Sequence, residues 1–472
     1  MDKTDPSITT GSGIDSKSSR DQYNGQWRAT LKKIRHDSEY RVRCLHTVFV
    51  MWLFITLGIV VSMVGGVFPD LRLIINKDLE TASWIFTAGA IGYMIGALSA
   101  GFLFDRVNRL LVLAAASVFH AICFSLYPWF SSFPVMLAIS ASSSLFSGSI
   151  DCCGNAHIGS IWGSESAPFM QCVHFGFSFG GFIGPLIAEP FVAPKDCIFK
   201  NSTIETTTMA NASIECEEVY GETHITYAFL IAGIIALSAA IPFLVMYCLP
   251  SRYNLYVCTP YEQGTNQVQE NEEKTMPKMS RFNKTVFVIL LALLISDYAC
   301  IEARFSSLLT TFLNDYLGWL TSTGLHVTSL FWGMFAAGRL LGIVVTRFLS
   351  SESMIITYLI ALALTFVAFL FGAMYNLDKL IWASSALAGL CMSVIFPSVF
   401  SWTAEKIVVS GAISSFYIIG CSGFNMLLPL LFGYLMDNIT QMYYIYLLLA
   451  SVGLAICLFA CSRCFIKMIT KN

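Results

Sequence analysis

Charged side chains are scarce in this sequence. Asp, Glu, Lys and Arg together make up 12% of its 472 residues. Soluble domains carry about 25%, so this chain lacks the polar coat that holds a globular surface in water. A net charge of −2 removes the electrostatic basis of nucleic-acid binding. No nucleophile motif, HExxH-type metal spacing or phosphate loop occurs, so neither enzymatic chemistry nor a resident cofactor is expected. The first 43 residues contain no apolar core, which excludes a cleavable signal peptide. Hydrocarbon, by contrast, is abundant. Hydrophobic residues make up 56% of the chain, Phe fills 37 positions, and the mean hydropathy is +0.66. The solvent of such a chain is mostly lipid.

Apolar runs of roughly 20 residues, the length that crosses a bilayer as a helix, occur near 44–68, 83–104, 110–130, 134–156, 168–192, 226–249, 285–312, 325–346, 354–374, 380–401, 411–435 and 442–462. The expectation is an all-α polytopic membrane protein with twelve transmembrane helices. The polar stretch 250–284 divides them six and six. It predicts a tail at 1–43, a six-helix bundle at 44–249, a cytoplasmic linker at 250–284, a second six-helix bundle at 285–462 and a tail at 463–472.

Lys and Arg set the orientation, because cytoplasmic segments are enriched in them. With both termini cytoplasmic, cytoplasmic segments hold 21 of the 28 basic residues and outer loops 5, while Arg304 and Arg339 lie inside helices. The outer loop 193–225 carries glycosylation sequons at Asn201 and Asn211. It also holds Cys197 and Cys216, the outer-loop members of the 15 cysteines. An oxidising exterior pairs them as a disulfide; the alternative is two free loop thiols. A third sequon, at Asn283, falls on the cytoplasmic side. A multi-pass glycoprotein of the plasma membrane, working as a monomer in the lipid bilayer, is the expected form.

The halves echo one another. Phe86, Gly92 and Gly96 in the second span match Trp332, Gly338 and Gly342 in the eighth, 246 residues on. Ser178 and Pro185 in the fifth match Ser422 and Pro429 in the eleventh at an offset of 244. Two nearly equal offsets point to a parallel repeat, and so to two bundles around a central substrate site.

Ionisable residues inside spans are expensive and mark candidate sites. In the fourth span Ser140, Ser144, Gly148, Asp151 and Asn155 share a side, and in the fifth Gln171, His174, Ser178, Gly181 and Pro185 do. Gly176, Gly180 and Gly184 fall on the opposite edge, a small-residue seam for tight packing. Asp151, Asn155, Gln171 and His174 lie at similar depth and form either one binding constellation or a structural network. The seventh span holds Asp297, Tyr298, Glu302 and Arg304, with Arg304 placed to neutralise a carboxylate. Arg339 sits in the eighth span and Asn425 in the eleventh. Trp332, Trp382 and Trp402 are able to stack on a sugar ring or to face lipid.

The connection GFLFDRVNR, Gly101–Arg109, resembles the signature loop of the major facilitator superfamily. Gly101 permits close helix packing there, and Asp105 with Arg106 and Arg109 forms a gating latch; a charged turn that merely obeys the orientation rule is the alternative. Asn108 stands where the family has its usual turn glycine, and asparagine also tolerates left-handed backbone geometry. The block SLFSGSIDCCGNAHIGSIWGSESAPFMQCVHFGFSFGGFIGPLIAEPFV, with SWIFTAGAIGYMIGALSAGFLFDR, YACIE and HVTSLFWGMFAAGRLLG, is similar to the sodium-dependent glucose transporter branch of that superfamily. The resemblance implies the major facilitator fold and an alternating-access carrier of a monosaccharide, a hexose such as glucose, with sodium as the co-transported ion. It matches Asp151 to an acidic position of the fourth span, a possible sodium ligand, and Glu302 to one in the seventh. Proton-coupled fucose carriers are relatives of this branch, but their acidic residue within the first span has no counterpart here. An organic-anion or proton-coupled carrier, and a non-transporting sensor or scaffold, are the alternatives.

Overall fold

The computed structural model describes residues 35, 37–104, 106–199, 216–249, 279–346, 348–407 and 411–471. Twelve helices in it are long and apolar enough to cross a membrane. They are α1 Ser38–Gly66, α2 Trp84–Phe104, α3 Arg109–Leu126, α4 Phe133–Trp162, α5 Ser166–Ala188, α6 in two pieces (Ile225–Ser238 and Ala240–Cys248), α7 Arg281–Asp315, α8 Thr321–Val345, α9 Ser351–Met374, α10 Asp378–Ala404, α11 Gly411–Asn438 and α12 Tyr443–Lys471.

Several outlast their apolar runs because polar caps add turns beyond the hydrocarbon. Asp37 accepts the Glu39 and Tyr40 N–H groups and Ser280 that of Asn283, satisfying donors that open every helix. The 35 residues of α7 measure about 52 Å, against roughly 30 Å of hydrocarbon. The break in α6 falls three residues before Pro242, which has no N–H for the Ser238 carbonyl and whose ring crowds it.

In the first half α2 lies along α4 and α1 along α5; in the second α8 lies along α10 and α7 along α11 and α12. Glycine makes these approaches possible. A Cβ at Gly92 or Gly96 would fall 2.0 or 1.8 Å from the carbonyl oxygens of Ala141 and Leu145 on α4. Their counterparts Gly338 and Gly342 bear on Ser393 and Val394 of α10, at 2.2 and 3.2 Å. The repeat read from residue spacing is therefore a repeat of packing. Gly176, Gly180 and Gly184 bear on Met51, Ile55 and Ser62 of α1, as expected of a small-residue edge.

Two expectations for the α2–α3 connection are corrected. Gly101 is exposed, and a Cβ there would meet Cys152 Sγ at an ordinary 3.8 Å, so it mediates no close packing. Asn108 has φ −58° and its side chain accepts the N–H groups of Leu110 and Leu111, so it is an N-cap and not a left-handed turn residue. Asp105 lies outside the described residues. Arg106 is exposed over the Phe102 ring, 3.5 Å from its centroid, and Arg109 opens α3.

Two short strands, β1 Lys195–Phe199 and β2 Cys216–Tyr220, form an antiparallel hairpin in the long α5–α6 loop. Cys197 pairs in register with Glu218 and Cys216 with Phe199. Asn201 and Asn211 lie outside the described residues.

The halves meet where α1 adjoins α7, α5 adjoins α8 and α2 adjoins α11. Hydrogen bonds between described residues of the two halves gather at the end away from the chain termini. Arg72 pairs with Asp315 at 2.5 Å, Glu80 N–H donates to Asp437, Asn438 to Glu80, and Thr87 to the Met426 carbonyl. Tyr220 of the hairpin donates to Asn314, and Ser329 to the Phe182 carbonyl. Nearer the termini, Arg463 pairs with Glu352 and Lys406 with Glu405, both within the second half.

Candidate functional site

Asp151 lies 11 residues before the end of α4, about 16 Å along the axis, and deeper than a span ending near residue 156 implies. A carboxylate there persists only with partners or water. The Tyr93 hydroxyl of α2 donates to Oδ2. Asn155 Nδ2, one turn on, donates to Oδ1 and to the Asp151 carbonyl, each at 3.0 Å. Tyr93 reaches across because glycine lets α2 and α4 touch: a Cβ on Gly148 would sit 2.2 Å from the Tyr93 carbonyl. Asn155 Oδ1 is buried without a partner, which leaves an unused oxygen acceptor beside the carboxylate.

Gln171 and His174 do not hydrogen-bond to this pair. α5 packs along α1, and His174 stands edge-on to Phe54, ring centroids 5.7 Å apart. Gln171 is half-buried. The four-residue constellation expected from α4 and α5 alone is thus not a hydrogen-bonded cluster. Its members meet the second half instead. Arg339 of α8 lies within electrostatic reach of His174 and also of Glu302 and Tyr298 on α7. The Tyr298 hydroxyl donates to the Met392 carbonyl beside Glu302. Cys421 of α11 lies within reach of both Glu302 and Tyr93. One turn further, Asn425 Nδ2 donates to the Cys421 carbonyl at 3.0 Å and Oδ1 faces Cys300 Sγ at 3.6 Å. Polar groups from both halves therefore succeed one another around the interface: Asp151, Tyr93, Cys421, Glu302, Arg339, His174.

Arg304 departs from expectation. It forms no ion pair with Asp297 or Glu302; it lies over the Phe86 ring of α2, 5.1 Å from the centroid, with Nε and Nη1 unpartnered. One i, i+7 step on a helix is about 10 Å, too long for the pairing with Asp297. The tryptophans also separate. Trp402 is fully buried between Phe287 and Phe459 inside the second half, so it is core. Trp332 lies at the seam between halves, against Phe177 and under Gly181 of α5.

Tyr93, Cys300 and Cys421 belong to the site and were not expected there. A tyrosine or cysteine in an apolar span carries no sequence mark of facing inward; only the neighbouring Gly92 hinted that this side of α2 is a close contact. A buried pair, His46 Nδ1 to His157 Nε2 at 2.8 Å, joins α1 to α4 and was likewise unforeseen. For a cation, the oxygens available are those of Asp151 and Asn155, hard donors of the kind alkali ions take.

The sequence matches the protein-family profile described as the Major Facilitator Superfamily over residues 50–424. It is similar to sodium-dependent glucose transporter 1 of Danio rerio, 30% identical over 400 residues that cover 82% of this chain and 63% of that protein. The chain thus spans less than two thirds of that relative. It is 25% identical over 388 residues to sodium-dependent glucose transporter 1 of Homo sapiens, covering 81% of this chain and 72% of that one. Major facilitator superfamily domain-containing protein 4A of Homo sapiens is 24% identical over 447 residues, 83% and 86% of the two chains. In fold it resembles the crystal structure of a mutant of the nucleoside transporter NupG, with a TM-score of 0.62 at 14% identity over 90% and 99% of the two chains.

Proposed function

This chain belongs to the Major Facilitator Superfamily of transporters, and we propose that within it the protein carries a neutral hexose, glucose by preference, coupled to sodium. The observation that supports this reading is the succession of hydrogen-bonding side chains around the seam between the halves. A sugar offers hydroxyls as donors and acceptors. Asn155, Gln171, His174, Tyr298, Glu302, Arg339 and Asn425 supply complementary groups, and Trp332 with Phe177 an apolar wall. Asp151, oriented by Tyr93, holds the sodium ion with the unused Asn155 oxygen. The names of the relatives, sodium-dependent glucose transporter 1 in fish and human, agree with both halves of the proposal.

We place the termini in the cytoplasm, the side that the excess of Lys and Arg favours; on that placement the bonded end is the outer one and the state is closed outward. Alternating access then exchanges the Arg72–Asp315 layer for a latch at Asp105, Arg106 and Arg109. The outer hairpin carries the Asn201 and Asn211 glycans and a Cys197–Cys216 disulfide, and the carrier works as a monomer in the plasma membrane. Uptake of labelled hexose into liposomes holding the purified protein tests the substrate class. Unlabelled glucose is expected to compete and organic anions not to; competition by anions alone, or no uptake at all, overturns it in favour of an anion carrier or a non-transporting membrane protein.

A further inference from the structure

Arg304 poses a charge problem that the chain does not solve. Its residue is 6% exposed, and its Nε and Nη1 have no hydrogen-bond partner. It lies at the top of the central site, on Phe86 and next to the layer where Thr87 bonds the Met426 carbonyl. Its polar neighbour is the thiol of Cys300, which in turn faces Asn425; neither carries a charge that answers a guanidinium. Glu302 is engaged by Arg339, and Asp297 Oδ2 is itself buried without a partner. A guanidinium cannot shed its proton, and a buried cation without a counter-charge is costly. Phe86 offers only a weak cation–π contact at that distance.

We propose that Arg304 is the seat of a monovalent anion in the seam between the two halves. The chemistry is one negative charge, a halide or a carboxylate, received by the free edge of the planar guanidinium. Two sources share it, each bound beside the neutral sugar: a free inorganic anion or a free organic carboxylate. The inference rests on the reading of this seam as the transport site. It adds to that reading an electrostatic partner for the cation that Asp151 binds.

Thermal unfolding of the purified full chain, followed at constant sodium in chloride, glucuronate and the bulkier sulfonate isethionate, tests it. The parent protein is expected to be stabilised saturably by chloride or by glucuronate relative to isethionate, because a ligand that binds only the folded state stabilises it by mass action. Stabilisation by chloride identifies a free inorganic anion; stabilisation by glucuronate alone identifies a free organic carboxylate. Arg304→Gln should weaken the apparent affinity at least about tenfold, the loss of one charge-assisted contact, and Arg304→Lys by a smaller factor. Equal midpoints in all three salts, or an Arg304→Gln response equal to the parent's, overturn the proposal. Should Arg304→Gln not fold, an Arg304→Lys affinity indistinguishable from the parent's overturns it. Hexose uptake on the same preparations separates the two readings. Uptake with no anion response removes the anion site and leaves the transporter; an anion response without hexose uptake removes the hexose and leaves the site.

Discussion

Gly180→Ala adds one methyl group to α5, and the structure specifies what that group meets. Its Cβ would lie 1.9 Å from the Ile55 carbonyl oxygen of α1, 2.8 Å from the carbonyl carbon and 3.0 Å from Cα. Backbone cannot rotate aside as a side chain does. Ordinary contact distance is about 3.5 Å, so the two helices must separate locally by roughly 1.5 Å. Gly58 and Gly184 share the same seam, with Cβ positions 1.9 Å from the Phe177 carbonyl and 2.2 Å from Ser62 Oγ, so separation at Gly180 loosens contacts a turn away on either side. Overpacking of this kind costs about 1–3 kcal/mol. Replacing glycine in a helix returns roughly 0.5–1 kcal/mol. The net expectation is a loss of up to about 2.5 kcal/mol, larger for Gly180→Val. Gly453→Ala in α12 is the control, since a Cβ there meets nothing within 4 Å; it should be neutral or slightly stabilising. Thermal midpoints and monodisperse yields of the two variants in detergent, measured side by side, decide the matter. A Gly180→Ala protein that melts at or above Gly453→Ala refutes the packing edge.

Asp151→Asn keeps the shape and the Tyr93 and Asn155 neighbours, so yield should hold while sodium-driven accumulation is abolished; undiminished accumulation makes the residue structural. Arg72→Ala removes an ion pair that joins the halves and whose side chains are 20% and 18% exposed, worth about 1 kcal/mol, the upper end for pairs still in contact with water, and hence about a fivefold change in the outward-open population. Labelling of a cysteine placed at Thr321, on the outer cleft, should speed up accordingly, and the charge swap Arg72→Asp with Asp315→Arg should restore the parent rate; failure of the swap means the pair does not hold the outer layer. Asp70, beyond the end of α1, has its carboxyl pushed up to about 6 by burial, against hydrogen bonds from Thr223 and Ala193 that lower it. A folded value above the unfolded 3.8 means its contribution is fully present below that value and lost as pH rises through about 6, a span of about 3 kcal/mol. Asp70→Asn should flatten the melting midpoint across that window, and an unchanged pH slope would assign it to another group.

The fold was legible because its signals are long. Twelve runs of roughly 20 apolar residues each average over many positions, and twelve helices long and apolar enough to cross a membrane stand where they fall. Gly92 and Gly96 were legible too, since glycine four residues apart has one physical use in a bilayer, and the same spacing at Gly338 and Gly342 exposed the repeat. The site was legible in membership and not in arrangement. Asp151 and Glu302 stood out by the cost of burying them, but nothing in the chain order shows that α4 packs on α2 while α5 packs on α1. So Tyr93 was missed as the carboxylate's partner, and His174 was assigned to the wrong neighbours. Arg304 misled for a related reason: its helix-mate Asp297 shares its face, but helical rise holds the two charges apart. Gly101 and Asn108 were read by analogy of position, and the backbone uses Asn108 as a cap.

The most direct test is accumulation of labelled glucose by the reconstituted protein with an inward sodium gradient, compared with equal sodium on both sides. A sodium-coupled hexose carrier concentrates glucose above its external level only under the gradient, and its Asp151→Asn variant equilibrates glucose without concentrating it. Glucose that reaches the same level with and without the gradient, in parent and variant alike, contradicts sodium coupling through Asp151.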